Sequence, residues 1–217
     1  MRNRSFWANV FAATLFIFTL GMSNAFAIDV KEGQNYKLIV PEQPKFKGEA
    51  EIEVVEVFWY GCPHCHRFQP FIEKWLEEYG DKVTYTRMPA ALRPSWNIHA
   101  RAYFAAEAIG AADKTHQAFF NAIHVQKKRL NSEEEIVAFY KSQGVDENKY
   151  RKAFKSFAVE SKLRRANELA KRYGVFATPT VVINGKYRTD GTMVPNGFQG
   201  MIEVIDHIVK KEMDSKG

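Results

Sequence analysis

The stretch Val54-Val55-Glu56-Val57-Phe58-Trp59-Tyr60-Gly61-Cys62-Pro63-His64-Cys65-His66-Arg67-Phe68 constrains this chain more than any other. Its first half is a β-branched and aromatic run of buried-strand length. Gly61 punctuates it, and an apolar pattern with helical spacing follows. The join carries both cysteines of the 217-residue protein. Cys62 falls at the N-terminal end of the helix, where unpaired backbone N–H groups and the positive dipole end favour an anion. A thiolate is such an anion, and it is the reactive form of cysteine. Pro63 suits the first turn, where its missing N–H and fixed φ are tolerated. Cys65, one turn on, is near enough to close a small disulfide with Cys62. The stretch reads as a redox-active dithiol.

Two other uses of the cysteines are weaker. A staple across two intervening residues removes little entropy from the unfolded chain. A metal site could draw on Cys62, His64, Cys65 and His66, but zinc sites usually complete their ligands from a second, distant pair that this sequence lacks. Adjacent helical positions also point apart. No dedicated metal site is expected.

The first 27 residues read as a signal peptide rather than fold material. Arg2 and Arg4 precede the apolar run Val10 to Leu20, and Ala25-Phe26-Ala27 has the form of a cleavage site, with processing expected after Ala27. An uncleaved anchor would need roughly 20 apolar residues, more than this core offers. Export to an oxidising compartment is consistent with a disulfide. The net charge of +6 includes the two leader arginines. The remaining basic clusters, Lys127-Lys128-Arg129, Arg164-Arg165 and Lys210-Lys211, read as solvated helix faces, so nucleic-acid binding is not expected.

Along the mature chain, Tyr36 to Val40 is a candidate edge strand and Glu51 to Tyr60 a strand. The helix from Cys62 carries Phe68, Phe71, Ile72, Trp75, Leu76 and Tyr79 on one face and stops at Gly80. Val83 to Met88 is a second strand, which makes a parallel crossover unit. Nothing from Ala90 to Tyr173 reads as a strand. A helix is expected over Trp96 to Ala112, with Asp113 as cap of the next. Ser132 and Glu135 form a capping-box signature, Asp146 opens a further helix, and Val159 to Arg172 is a longer one. Thr180 to Ile183, the turn Asn184-Gly185 and Lys186 to Thr189 form a hairpin, and Phe198 to Met213 a closing helix. The order βαβ, an all-helical block, then ββα predicts an α/β fold with a helical insertion. The expected boundaries are residues 28–89, 90–173 and 174–217.

Cys62-Pro63-His64-Cys65 after an apolar strand, with Thr178-Pro179-Thr180 opening a later one, resembles the DsbA family of thiol:disulfide oxidoreductases. The resemblance spans nearly the whole mature chain. It implies a thioredoxin fold with a helical insertion, a periplasmic location, and no cofactor beyond a Cys62–Cys65 disulfide. It assigns the nucleophile to Cys62, the second cysteine to Cys65, the cis-proline to Pro179 and the acidic residue beneath the site to Glu56. His64, between the sulfurs, is expected to favour the thiolate. Thr178 and Pro179 are expected to pair with an extended substrate like an added strand. The implied partners are folding secreted proteins with free cysteines and a DsbB-like quinone-coupled inner-membrane oxidase, the enzyme acting as a monomer.

Two features depart from the family pattern: Thr178 stands where some members have valine, and the further cysteines of some relatives are absent. An isomerase or reductase is the nearest alternative, although the family isomerases carry a dimerisation domain missing here. The alternative from another class is a peptide-binding chaperone or metal carrier with incidental cysteines.

Overall fold

The computed structural model describes residues 28–46 and 51–215; the expected signal peptide lies outside them. Five strands make one sheet in the order β1-β5-β4-β2-β3. β2 (Glu53–Phe58) runs parallel to β3 (Thr84–Pro89) on one side and antiparallel to β4 (Thr180–Ile183) on the other. Every β2 residue is buried, as its near-continuous apolar run requires of a strand covered on both faces. β4 returns antiparallel through β5 (Tyr187–Asp190). The intervening turn puts Asn184 at φ 53° and Gly185 at φ 67°, the left-handed pair that a tight hairpin demands. β1 is reduced to Lys37–Leu38 at the β5 edge.

α1 (Pro63–Tyr79) and α7 (Gly197–Asp214) cover one face, burying Phe68, Ile72, Trp75, Val204, Ile205 and Ile208 against Val54, Val181 and Ile183. The second core joins Val55, Val57 and Phe58 to α2 (Asn97–Ala108), α3 (Ala112–His124), α4 (Glu133–Ser142), α5 (Glu147–Phe154) and α6 (Phe157–Arg172). All five of these helices lie between β3 and β4 in the chain. Phe58 packs edge-on against Tyr60, Tyr103 and His116, so the strand that leads to the dithiol is anchored in the helical layer.

Most expected boundaries lie within two or three residues of those found. The capping box of Ser132 and Glu135 is present, with both reciprocal bonds, and Asp146 caps α5. Asp113 does not cap its helix. α3 starts one residue earlier, after Ala111 with no side-chain cap, and Asp113 sits in the first turn, where its carboxylate meets Arg87 at 3.2 Å. The segment expected as one helix over Trp96 to Ala112 begins as a single 3-10 turn at Pro94–Trp96 and breaks at Gly110, whose φ of 71° no helix accommodates.

Candidate active site

The strand ends at Phe58 because the chain turns: the N–H of Cys62 donates to the carbonyl of Trp59 at 2.9 Å. Gly61 suits this turn, since a Cβ there would come within 2.2 Å of the Trp59 indole and force the ring to move. That indole stacks on Trp96 with centroids 4.2 Å apart, tying the turn to the helical layer. Cys62 is the N-cap of α1, in extended conformation, and its sulfur accepts from the N–H of Cys65 at 3.4 Å. Pro63 occupies the first turn, as expected.

The later proline comes to the same place. The Thr178–Pro179 peptide bond is cis, and the Thr178 carbonyl accepts from the Cys62 thiol at 3.2 Å across 116 residues of sequence. Thr178 and Pro179 also line a groove of about 460 Å³ beside the dithiol, shared with His64, Arg67, Asp190 and Phe198. Two residues before Thr178, the Phe176 ring is 85% exposed.

The two sulfurs occupy different environments. Cys62 is 7% exposed and Cys65 wholly enclosed. The Cys62 thiol is lowered from 9.0 to about 5, first by its hydrogen bond with the Cys65 thiol, against the opposing effect of burial. The Thr178 side chain and the N–H groups of Cys65 and His64 contribute further. Cys65 is pushed well above the usual thiol range, mainly by burial and then by its proximity to Cys62. Both cysteines are free thiols in this structure.

Beneath Cys65 the sheet carries a buried carboxyl. Glu56 sits in the middle of β2 with no exposed surface. Gln69 Nε2 donates to Glu56 Oε1 at 2.9 Å and to the Cys65 carbonyl at 3.3 Å, and the Tyr85 hydroxyl donates to Glu56 Oε2. Burial raises the Glu56 carboxyl above the ordinary range, and these donors and Arg87 only partly offset it. Its charge in turn helps to raise Cys65.

All seven residues singled out in the sequence, Glu56, Cys62, Pro63, His64, Cys65, Thr178 and Pro179, lie in or directly beneath this site. His64 contributes to the site through its backbone. Its backbone N–H is what favours the Cys62 anion, while its exposed ring accepts a bond at Nδ1 from Arg67 at 3.1 Å. Guanidinium groups have no acceptor, so the ring proton is on Nε2 in this arrangement.

His66 and His124 stack on one another beside the turn, 5.1 Å between centroids. His124 Nε2 donates to the Tyr60 carbonyl at 2.8 Å, bracing the strand end, and its ring feels the charge of Cys62. His99 and His116 are core residues, with His116 sharing a 3.0 Å hydrogen bond with Tyr60. Gln69, Tyr85 and Arg87 escaped the sequence reading. Gln69 was within reach of it: four residues after Cys65, it lies on the same face of α1. Tyr85 and Arg87 had no local signal, because only the β2–β3 register sets them beside Glu56.

A dithiol at the head of the helix after a central strand, one sulfur poised as an anion and facing a cis-proline, defines a thioredoxin-fold thiol:disulfide oxidoreductase. The profile of the DSBA-like thioredoxin domain matches residues 83–203. The chain is 36% identical over 196 residues to the thiol:disulfide interchange protein DsbA of Burkholderia cepacia, covering 90% of this chain and 92% of that one. It is 37% identical over 212 residues to DsbA of Pseudomonas aeruginosa, covering 98% and 97%. The crystal structure of Pseudomonas aeruginosa DsbA superposes with a TM-score of 0.81 at 36% identity, over 87% of this chain and 97% of that one. DsbA of Xylella fastidiosa gives 0.75 at 31%, over 83% and 96%. The chain belongs to the DsbA family of protein disulfide oxidoreductases.

Proposed function

We propose that the protein works as an oxidase in the periplasm, after removal of residues 1–27, handing its Cys62–Cys65 disulfide to proteins that fold there. The observation that carries this reading is the separation of the two thiols, Cys62 lowered to about 5 and Cys65 raised. An ionised, hydrogen-bonded Cys62 stabilises the reduced form, and whatever stabilises the reduced form makes the disulfide a stronger oxidant, about 1.4 kcal/mol per 30 mV.

The chemistry runs in two exchanges. A client thiolate attacks Cys62 Sγ; the Cys62–Cys65 bond breaks, its electron pair leaves on Cys65, and Cys65 takes up a proton. A second client thiolate then attacks the client sulfur of the mixed disulfide. Cys62 leaves as the stable thiolate, and the client is oxidised as the enzyme is reduced. A sulfur with a low pKa is the better leaving group in that second step. Glu56 is the buried acid placed to protonate Cys65.

Thr178 and Pro179 present backbone at the groove to an extended client segment, in the manner of an added strand. His64 contributes its N–H to the helix head. The redox group is the Cys62–Cys65 disulfide itself, with no separate cofactor. Reoxidation falls to a DsbB-like quinone-coupled membrane oxidase, and the protein acts as a monomer. Residues 28–89 and 174–217 form the two parts of the thioredoxin-like unit and 90–173 the inserted one.

Equilibration of the purified dithiol with glutathione tests the direction of the reaction. The oxidase requires a potential more oxidising than that of the glutathione couple. A more reducing value would assign the protein to reductase or isomerase work.

A further inference from the structure

Cys65 presents a problem that the active-site face does not solve. Each turnover puts an electron pair on its sulfur and requires one proton there, yet the residue has no exposed surface. Glu56 is equally enclosed. After giving up its proton, it must be resupplied before the next turnover.

Among the described residues, the hydroxyl bonded to Glu56 is that of Tyr85, on β3 at the open edge of the sheet. Unlike Glu56, Tyr85 keeps part of its surface exposed, although its phenol group is itself enclosed. It lines a cleft of about 210 Å³ with Thr86, Arg87, Tyr103, Glu107 and Asp113. At roughly 30 Å³ per molecule the cleft has room for several waters. Its lining is mostly polar, with Arg87, Glu107 and Asp113 among the residues. It lies at the edge of β3 against α2 and the start of α3, away from the groove of the dithiol.

We propose that Tyr85 is the proton link between the Glu56–Cys65 floor and solvent, and that the cleft at the β3 edge is the port. The inference rests on the reading of Cys65 as the sulfur that leaves and is protonated in each turnover. The steps balance without any further reactant. Glu56 gives its proton to the Cys65 thiolate and becomes a carboxylate. Tyr85 passes its hydroxyl proton to Glu56 as it takes one from water in the cleft, so the phenol is never ionised. That last point matters, because burial and the nearby Glu56 hold the Tyr85 phenol well above its ordinary range. A hop through a neutral hydroxyl avoids the phenolate altogether.

The charged and titratable groups facing this path are Arg87 on β3, Cys65 and Glu73 on α1, Tyr103 and Glu107 on α2, and Asp113 on α3. Glu107 is tied to Lys162 at 2.8 Å, and Asp113 to Arg87, so the rim is close to electrically balanced. Tyr85 acts through Glu56 and is a positioning residue rather than a group that meets the client.

Rapid-mixing oxidation of a two-cysteine peptide by the disulfide form, between pH 5.5 and 8.5 in H2O and in D2O, tests the link. Tyr85→Phe should leave the Cys62 thiolate titration in place and slow peptide oxidation about tenfold, below the full effect of a general acid. It should also raise the solvent isotope effect, and added imidazole should restore the rate in proportion to its concentration. Thr86→Val, which keeps the tyrosine and removes the hydroxyl of a residue lining the cleft, should slow the reaction a few-fold with the same isotope signature. Wild-type rates and pH profile in Tyr85→Phe would overturn the proposal. So would slowing with neither an isotope effect nor rescue, since that is the mark of a packing defect. Should Tyr85→Phe fail to fold, wild-type kinetics in Thr86→Val would overturn it alone. A wild-type enzyme unable to oxidise the peptide would instead refute the oxidase reading, which separates the two failures.

Discussion

The mouth and the floor of this site are one helical turn apart and treat the same functional group in opposite ways. At the mouth, Cys62 caps α1, and its sulfur meets the N–H groups of the first turn, the Cys65 thiol and Thr178. At the floor, Cys65 is enclosed by the sheet and faces the buried Glu56 carboxyl. Burial opposes charge on both sulfurs. It prevails at the floor because nothing there donates enough, and loses at the mouth because an N-terminal helix end supplies donors without a partner of their own. The contrast teaches that a Cys-x-x-Cys pair acquires its polarity from where the chain turns.

The largest break in that contrast comes from swapping the sulfurs. Cys62→Ser should abolish disulfide transfer. Cys65→Ser should keep the attacking thiolate and accumulate mixed disulfides, visible on non-reducing gels. Equal loss in both, with no trapped adduct, would erase the distinction between mouth and floor.

Next in size is stability. The Cys62 ionisation lies near 9.0 when ordinary and about 5 in the fold, so the folded reduced protein gains stability that is complete above the unfolded value. The gain shrinks as the pH falls between the two and is gone below about 5. At neutral pH the reduced form should therefore resist urea better than the oxidised one, by an amount that declines steadily towards pH 5. A sturdier oxidised form across that range would remove the thiolate as the driving force.

The floor predicts the reverse sign. Glu56, raised by burial, disfavours the fold once it ionises, so its contribution is lost as pH rises through its folded value. Glu56→Gln should raise the melting temperature at neutral pH, by about 4–8 °C per kcal/mol for a small domain and less for a chain of this length. The advantage should vanish under acid conditions, where both side chains are neutral. A loss of stability at neutral pH would contradict this account.

Thr178→Val sharpens the mouth by subtraction. It removes one of several contributors, so the Cys62 titration, followed by thiolate absorbance, should move upward by less than about one pH unit, or 1.4 kcal/mol. The smallest effect lies outside the site. Ser132→Ala should cost about 1 kcal/mol through the lost α4 cap and leave the Cys62 titration untouched.

Much of this was legible before any coordinates. The β2–turn–α1 segment declares itself because its signals are local: a β-branched run, a glycine that punctuates it, then apolar residues at helical spacing. The caps at Ser132 and Asp146 are equally local, each a side chain bonded three residues on. Asp113 misled because a capping residue type was present where the helix had already begun. His64 sits at the helix head as the sequence places it, and its backbone N–H favours the Cys62 anion.

The chain by itself determined the dithiol, its place at a strand-to-helix join and the order of elements, since each follows from propensities and spacings within a few residues. Only the tertiary structure decided what lies against the sulfurs. Thr178 reaches Cys62 from 116 residues away, and Tyr85 reaches Glu56 through the register of two parallel strands. Burial, which raises one thiol and the carboxyl below it, is a property of the packed whole and is carried by no single stretch of sequence.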